Sequence, residues 1–452
     1  MSELVDNRIQ KRESSLMPAN LNWIGVRSLD SIGKVFQKGD YYYRAIYPHQ
    51  ASFVERLLSS PALEKMTHAG LMTPQIRSKQ QVEGFAFCVK SKAADWVIPP
   101  AHWTLGTLKQ AAINWLAINL ALLESGYQLI DAHHGNYVLG ENCNPQWIDL
   151  GSIQKDSSYV LTGFQEFCQR QLYPLVVLSL RPDLSSLLKR GLMEQGLTYR
   201  ELVCLIPLSL KAKIAGWINL INKKKVRRGA RLKHKTVLWA AARLIHSLPM
   251  ATHKTFWAYY HGRNPTLSGS NPSAGDPRMK IVMQLVGVLN PGSILDMGAN
   301  SGKLLALLGA PGRKLLAVDP DEHAIEKFVT WANGKHTGMG AAVGCVGNFH
   351  TITARAELVL GMALTHHLAL TEQFKFDYIS KRFAELSTQF LITEFMPNGL
   401  GVMRKQEGLP VWYSFENFIS ELKKYWSEVE TVKYDFPKDW SPRTMILCKN
   451  KI

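Results

Sequence analysis

The sequence predicts an α/β protein. An α+β domain spans residues 20–205, a basic helical connector 206–277, and a C-terminal domain on a mostly parallel sheet 278–452. Three observations carry that prediction. Beyond residue 278, short apolar runs alternate with helix-like patterns, the mark of a parallel sheet that takes ligands at the carboxyl ends of its strands. Within that alternation, Ile294–Leu304 is an apolar strand entering a glycine-containing turn and then a helix. Finally, no Asp or Glu lies between Glu201 and Asp276 but thirteen Lys and Arg do, so this stretch holds +13 of the net +17.

In chain order, Val35–Phe36 and Tyr41–Ile46 read as a hairpin around Lys38-Gly39-Asp40. Ser52–Ala69 carries Phe53, Val54, Leu57, Leu58 and Leu63 at helical spacing, despite Pro61. Thr107–Tyr127 is a longer amphipathic helix, and Tyr137–Leu139 and Gln146–Ile148 are short strands joined by the turn-rich Gly140–Pro145. The connector reads as helical to Ser247, and Thr266–Pro277 is a loop by composition. Helix Met279–Val288 then leads to strand Ser293–Met297. A helix from Lys303 leads to strand Leu315–Asp319, and a helix from Glu322 follows. Leu358–Met362, Phe390–Phe395 and Thr444–Cys448 are the later strands.

Composition excludes several classes. With 452 residues, 46% of them hydrophobic and 20% charged, the chain is not a disordered one. Its six cysteines, at 88, 143, 168, 204, 345 and 448, have neither zinc-knuckle nor thioredoxin-like spacing. Met1–Asn22 lacks the apolar core of a signal peptide, and Ala111–Leu123 is too short to span a bilayer. A cytoplasmic protein is expected, with room for peripheral contact at the inner membrane face through the basic segment.

Asp296, Gly298, Asn300 and Gly302 form D-x-G-x-N-x-G, and the next strand ends in Asp319. Gly298 lets the backbone turn sharply toward a ligand, and Gly302 lets the helix start lie close to it. An acid at the tip of the second strand can accept hydrogen bonds from both hydroxyls of a ribose. The turn lacks the G-x-G-x-x-G of pyrophosphate binders, so a nucleoside is expected rather than a dinucleotide. This pattern resembles motif I and the second-strand acid of class I S-adenosylmethionine (SAM) methyltransferases. Glu357–Leu368, Phe390–Pro397, Trp412–Phe418 and Arg443–Leu447 resemble a subgroup related to rhizobial nodulation-type methyltransferases. The resemblance implies a Rossmann-like seven-stranded domain. It places Gly298, Asn300 and Gly302 along the methionine and ribose of SAM, Asp296 near the methionine, Asp319 on the ribose and Asn348 near the adenine. It also makes Trp257, Tyr259 and Tyr260 either a lid or a packing anchor.

After the fourth strand stands Leu364-Thr365-His366-His367 in place of the N/D-P-P-Y/F of nucleobase-amine methyltransferases, which favours an oxygen acceptor. Imidazole has the pKa to take a hydroxyl proton at neutral pH, so His366 or His367 is the candidate base and Glu394 a candidate orienting acid. A plain alternative is that one His closes the loop and the other packs.

Asp131, Asn136 and Asp149 form a second constellation. In kinases an Asp accepts the substrate proton, an Asn five residues on holds Mg²⁺, and a later Asp holds Mg²⁺ as well. This stretch resembles aminoglycoside-phosphotransferase-like kinases, and Tyr41–Ile46 resembles the third strand of their small lobe. The resemblance implies ATP and Mg²⁺ as further cofactors, with Asp131 as base and Asn136 and Asp149 on the metal. Arg44 stands where the ATP-pairing Lys is expected. The domain is therefore read as holding or modifying the methyl acceptor, with a pseudokinase scaffold and a bifunctional kinase–methyltransferase as alternatives. The acceptor would be a sugar, a glycan terminus or a related metabolite, phosphorylated or lipid-diphosphate-linked to suit the basic run around Lys223–Arg228. That run lacks the interleaved aromatics of a stacking platform, which disfavours RNA and leaves an RNA methyltransferase, its basic connector holding RNA, as a further alternative.

Overall fold

Five antiparallel strands lead the chain, in the order β1 (Trp23–Ile24), β2 (Gly33–Lys38), β3 (Tyr41–Ile46), β5 (Phe87–Lys92), β4 (Ile76–Ser78). This computed structural model describes residues 16–24, 31–156, 161–182, 185–207, 230–250, 277–333, 338–345, 354–401, 404–433 and 442–452. Asn348, the Lys223–Arg228 run and the aromatics Trp257, Tyr259 and Tyr260 lie outside the described residues. The hairpin expected at Gly39 forms, with Gly39 at φ 59°. The single helix expected over 52–69 is two, Ala51–Leu58 and Pro61–His68. Pro61 cannot donate to the preceding turn, and the Ser60 side chain accepts from Leu63 N to begin the second helix afresh.

Below this sheet lies the helix Leu105–Glu124, of which thirteen residues are buried. Trp115 stacks on Phe167 at 4.5 Å, and large side chains of this kind stabilise the core by roughly 1.5–3 kcal/mol each. Two small hairpins follow, β6 (Tyr127–Leu129) with β9 (Ile153–Lys155), and β7 (Tyr137–Leu139) with β8 (Pro145–Trp147). From the connector, helix Ala230–Ser247 lays Leu238, Ala241 and Ile245 into this same core. Its Lys235 pairs with Glu124, so the described part of the connector packs as a member of the N-terminal domain.

The C-terminal sheet has seven strands in the order β12 (Met339–Val343), β11 (Lys314–Asp319), β10 (Ser293–Met297), β13 (Ala356–Gly361), β14 (Ser387–Phe395), β16 (Thr444–Lys451), β15 (Trp426–Val432). The first five run parallel, and β16 is antiparallel to both its neighbours. The order reverses between β10 and β13, so a crevice opens at the carboxyl ends of those strands.

The two domains are locked together along the edge strand β12. Trp96 Nε1 donates to Gly338 O (3.2 Å), His102 Nδ1 to Val343 O (2.8 Å) and Cys143 Sγ to Met339 O (3.5 Å). The Trp96 ring lies 2.7 Å from where a Cβ on Gly340 would stand, so only glycine admits it. Helix Leu105–Glu124 is capped by Thr104, whose hydroxyl accepts from Thr107 N (3.1 Å), and its first two amides are satisfied by the other domain. Leu105 N donates to Glu322 Oε1 (2.6 Å) and Gly106 N to Glu326 Oε2 (3.1 Å). Two carboxylates thus meet the positive end of the helix and satisfy amides that would otherwise lack partners. Lys189, 5% exposed, donates to Glu322 Oε1 (2.8 Å) and to Trp103 O (2.7 Å). No helix among the described residues is long and apolar enough to cross a membrane.

Candidate functional site

The turn after β10 is built from left-handed residues: Gly298 at φ 79°, Asn300 at 49° and Gly302 at 70°. Glycine adopts that region without penalty, and Asn tolerates it through local hydrogen bonding. Here Asn300 Oδ1 accepts from Ser301 N (2.7 Å). A Cβ on Gly302 would overlap the Phe328 ring, so the helix Lys303–Leu308 starts pressed against the helix Glu322–Ala332. A Cβ on Gly298 would come within 3.3 Å of Leu364, which places the loop after β13 directly over the turn.

Asp319 ends β11 with Oδ2 accepting from Asn300 N (2.8 Å) and Oδ1 from Asp321 N (2.8 Å). Those two amides orient the carboxylate, and Gly344 N fixes its backbone by donating to Asp319 O (3.0 Å). Burial still pushes its pKa up to about 6. Asp296, on β10 and 3% exposed, is pushed up to about 8 by burial and by the charge of Asp319. Desolvation disfavours the charged form of both acids, so the crevice gains from a ligand that brings donors or positive charge to them. The two acids beside the left-handed turn therefore fit a nucleoside that brings hydroxyl donors. The structure thus brings Asp296, Gly298, Asn300, Gly302 and Asp319 to one end of the sheet.

On the other side of the turn, His366 is 6% exposed and its ring lies 4.1 Å from that of His367. Burial, helped by His367 and Arg443, pulls the His366 pKa down to about 3. Burial lowers His367 as well. A His366 imidazole of pKa about 3 takes a proton poorly at pH 7, so that ring is not poised to titrate near neutrality. Glu394 does not orient either imidazole through any described hydrogen bond. It accepts from Ala363 N (2.8 Å) and pairs with Arg443 Nη1 (3.2 Å). Ala363 sits at φ 49°, an unusual state for a residue with a Cβ. Arg443 received no role from the sequence, because only the antiparallel register of β16 on β14 brings it to Glu394.

In the N-terminal domain, a cleft of about 810 Å³ gathers Arg44, Asp131, Asn136 and Asp149. Arg44 Nη2 contacts Asp149 Oδ1 at 2.8 Å, and the same oxygen accepts from Gly151 N (3.0 Å). Burial lowers the Arg44 pKa, against the raising effect of Asp149. Asp131 Oδ2 accepts from Asn136 Nδ2 (2.9 Å) and meets His133 Nε2 at 3.1 Å. Against the opposing effect of burial, His133 and Asn136 hold Asp131 down at about 2. The His133 pKa is correspondingly raised, chiefly by its hydrogen bond to Asp131. Glu55, on the helix after β3, pairs with Arg77. The Mg²⁺ that the kinase resemblance implies does not fit this donor set. A divalent cation on Asp149 would face a guanidinium 2.8 Å from its ligand oxygen. His133 was missed in the sequence, since its pairing depends on the fold of the loop.

No family model matches the chain. Nodulation protein NoeA of Rhizobium meliloti (strain 1021) is 22% identical over 373 residues, which cover 72% of this chain and 75% of NoeA. Among solved structures, WbdD in complex with the kinase inhibitor LY294002 matches at 18% identity and TM-score 0.31, over 42% of this chain and 44% of WbdD. The match thus spans less than half of that protein. The N-methyltransferase NodS from Bradyrhizobium japonicum WM9 matches at 13% identity and TM-score 0.29, over 38% of this chain and 94% of NodS. In strand order and in the turn at 296–302 the chain resembles a class I SAM-dependent methyltransferase, and in sequence it is similar to nodulation protein NoeA.

Proposed function

We propose that the chain transfers a methyl group from SAM to a hydroxyl of a sugar, a glycan terminus or a related metabolite. The observation that carries this reading is the pair of buried acids, Asp296 and Asp319, flanking a left-handed glycine turn at the carboxyl ends of adjacent parallel strands. Asp319 would take the ribose hydroxyls, Asp296 would face the methionine end, and the turn from Gly298 to Gly302 would lie along the nucleoside. SAM supplies an electrophilic methyl group on a sulfonium. The chain's own residues hold and orient it, while Leu364 and the histidine loop lie over the turn and help exclude water. The histidine and Glu394–Arg443 side of the crevice faces the acceptor in this reading. The basic segment 206–277 would hold a phosphorylated or lipid-diphosphate-linked acceptor, or rest on an anionic membrane face. The kinase-like domain is read as a binding scaffold docked on the methyltransferase, because Arg44 engages Asp149 and Glu55 engages Arg77.

Asp319→Ala should lower SAM affinity at least tenfold in calorimetry of the full chain. The loss is one or two charge-assisted hydrogen bonds of about 1.5–3 kcal/mol each. Wild-type protein that is folded yet silent toward SAM ends the methyltransferase reading.

His366 gives a second test. With its pKa near 3 the ring is neutral throughout pH 5–8, so it should add no inflection to the pH–rate profile there. An inflection near pH 6.5 that disappears in His366→Ala contradicts this.

A further inference from the structure

We infer that the N-terminal cleft is a metal-independent binding site for a nucleoside without a polyphosphate tail. The inference rests on the reading of this domain as a scaffold, and it follows from how the charged residues of the cleft are satisfied. Five charged or chargeable side chains line it: Arg44, Lys92, Asp131, His133 and Asp149. Four of them are used in internal pairs, Arg44 with Asp149 at 2.8 Å and His133 with Asp131 at 3.1 Å. Arg44 and Asp149 thus offset each other before any ligand arrives, and Lys92 is the exposed last residue of β5. A metal-bound triphosphate needs the reverse, namely carboxylates open to Mg²⁺ and a cation open to the phosphates. To build that site the cleft would have to break a part-buried Arg–carboxylate contact and leave the guanidinium beside a divalent ion.

The rest of the cleft suits a flat heteroaromatic ring carrying a polar, uncharged sugar. Val35 of β2 and Val89 of β5 supply one wall, and Val138 of β7 and Ile148 after β8 another. Apolar walls contributed by two sheets, with a few polar groups at the rim, are the usual make-up of a small-molecule pocket. Ser91 and Gln75 stand at that rim. A volume of about 810 Å³ is ample for a nucleoside. At the far end, paired acids and amides can still exchange hydrogen bonds with ribose hydroxyls without taking on charge.

The cleft also has a physical route to the second domain. Its back edge is Lys92, Ala93, Ala94 and Val97. Within that same segment Asp95 pairs with Lys314 (2.8 Å) and Trp96 donates to Gly338 O. A ligand seated in the cleft thus touches the sequence neighbours of the two residues that dock the scaffold to the edge of the methyltransferase sheet.

Calorimetry on the full chain tests the inference, using adenosine and ATP as probes, each in EDTA and in Mg²⁺. The Asp319→Ala background weakens any binding of adenosine in the SAM crevice. In that background adenosine should bind the N-terminal cleft, and Mg²⁺ should change ATP affinity less than threefold. Val138→Trp, which fills the slot, should abolish adenosine binding. Asp149→Asn gives an opposite-sign test. If Asp149 serves to neutralise Arg44, removing its charge turns Arg44 toward phosphates, and ATP should bind about tenfold tighter in EDTA. If Asp149 were a metal ligand, the same change would weaken ATP binding in Mg²⁺. No adenosine binding, a tenfold gain from Mg²⁺ in the unsubstituted cleft, adenosine binding retained by Val138→Trp, or weaker ATP binding by Asp149→Asn each overturns the inference. SAM titration of the wild type is a separate readout, so a failed cleft and a failed methyltransferase reading are told apart.

Discussion

Asp296→Asn is expected to stabilise the ligand-free protein at pH 8 and to flatten its dependence on pH. In the folded chain the Asp296 pKa is pushed from 3.8 up to about 8, first by burial and then by Asp319. Between those values the folded state holds a proton that the unfolded state has released. Stability therefore falls as pH rises from about 4 to about 8, and the loss is complete above the folded pKa. At about 1.4 kcal/mol per pKa unit, the cost of the buried charge reaches roughly 6 kcal/mol. Asp319, raised to about 6, adds a loss of the same sign between pH 4 and 6. Urea unfolding of wild type and variant at pH 4, 6 and 8 checks this. Parallel curves across that range would show that Asp296 is ionised at little cost. Under the proposed function the same variant binds SAM less well, so stability and cofactor affinity move in opposite directions.

Lys189→Met should destabilise the whole molecule by about 3 kcal/mol, the low end for breaking a buried ion pair, since Glu322 keeps its other donors. Those donors are Leu105 N and Ser185 Oγ, at 2.6 and 3.1 Å. Methionine keeps the length of the side chain but leaves Trp103 O without its donor. A double-mutant cycle with Glu322→Gln separates the pair from packing, because a contact across the interface gives a coupling energy and a local cavity does not. A fall below about 1 kcal/mol for the single variant would mean that this contact matters little to the joint between the domains.

The C-terminal sheet was largely legible because its strands are self-contained apolar runs. Ser293–Met297 was read with its observed ends, and Lys314–Asp319 to within one residue. Two strands escaped the reading: the third, presumed to end at Asn348, ends at Val343, and Trp426–Val432 was not read. Met339–Val343 is Met-Gly-Ala-Ala-Val, too small in its side chains to look like a strand. Its pattern makes sense only with Trp96 from the other domain lying on Gly340. Trp426–Val432 carries Ser, Glu, Glu and Thr as an edge strand of the sheet, and this masks its alternation. Among site residues, the turn and both acids were legible from local chemistry. What could not be read was which charges meet: Arg44 with Asp149 spans 105 positions and Arg443 with Glu394 spans 49. Burial decided the rest, turning a histidine of ordinary appearance into one with a pKa near 3.

The helix that begins at Leu105 has its first amides finished by residues that the ribosome makes 217 and 220 positions later. At about 5–20 residues per second, the growing chain waits roughly 10–40 s between making that helix start and supplying Glu322. Through that interval Trp96 and His102 have no edge strand to dock on. The first half of the nascent protein is therefore expected to stay incompletely docked until the second half emerges. Slowing translation downstream of residue 250 should lengthen its protease-sensitive window without changing the finished fold.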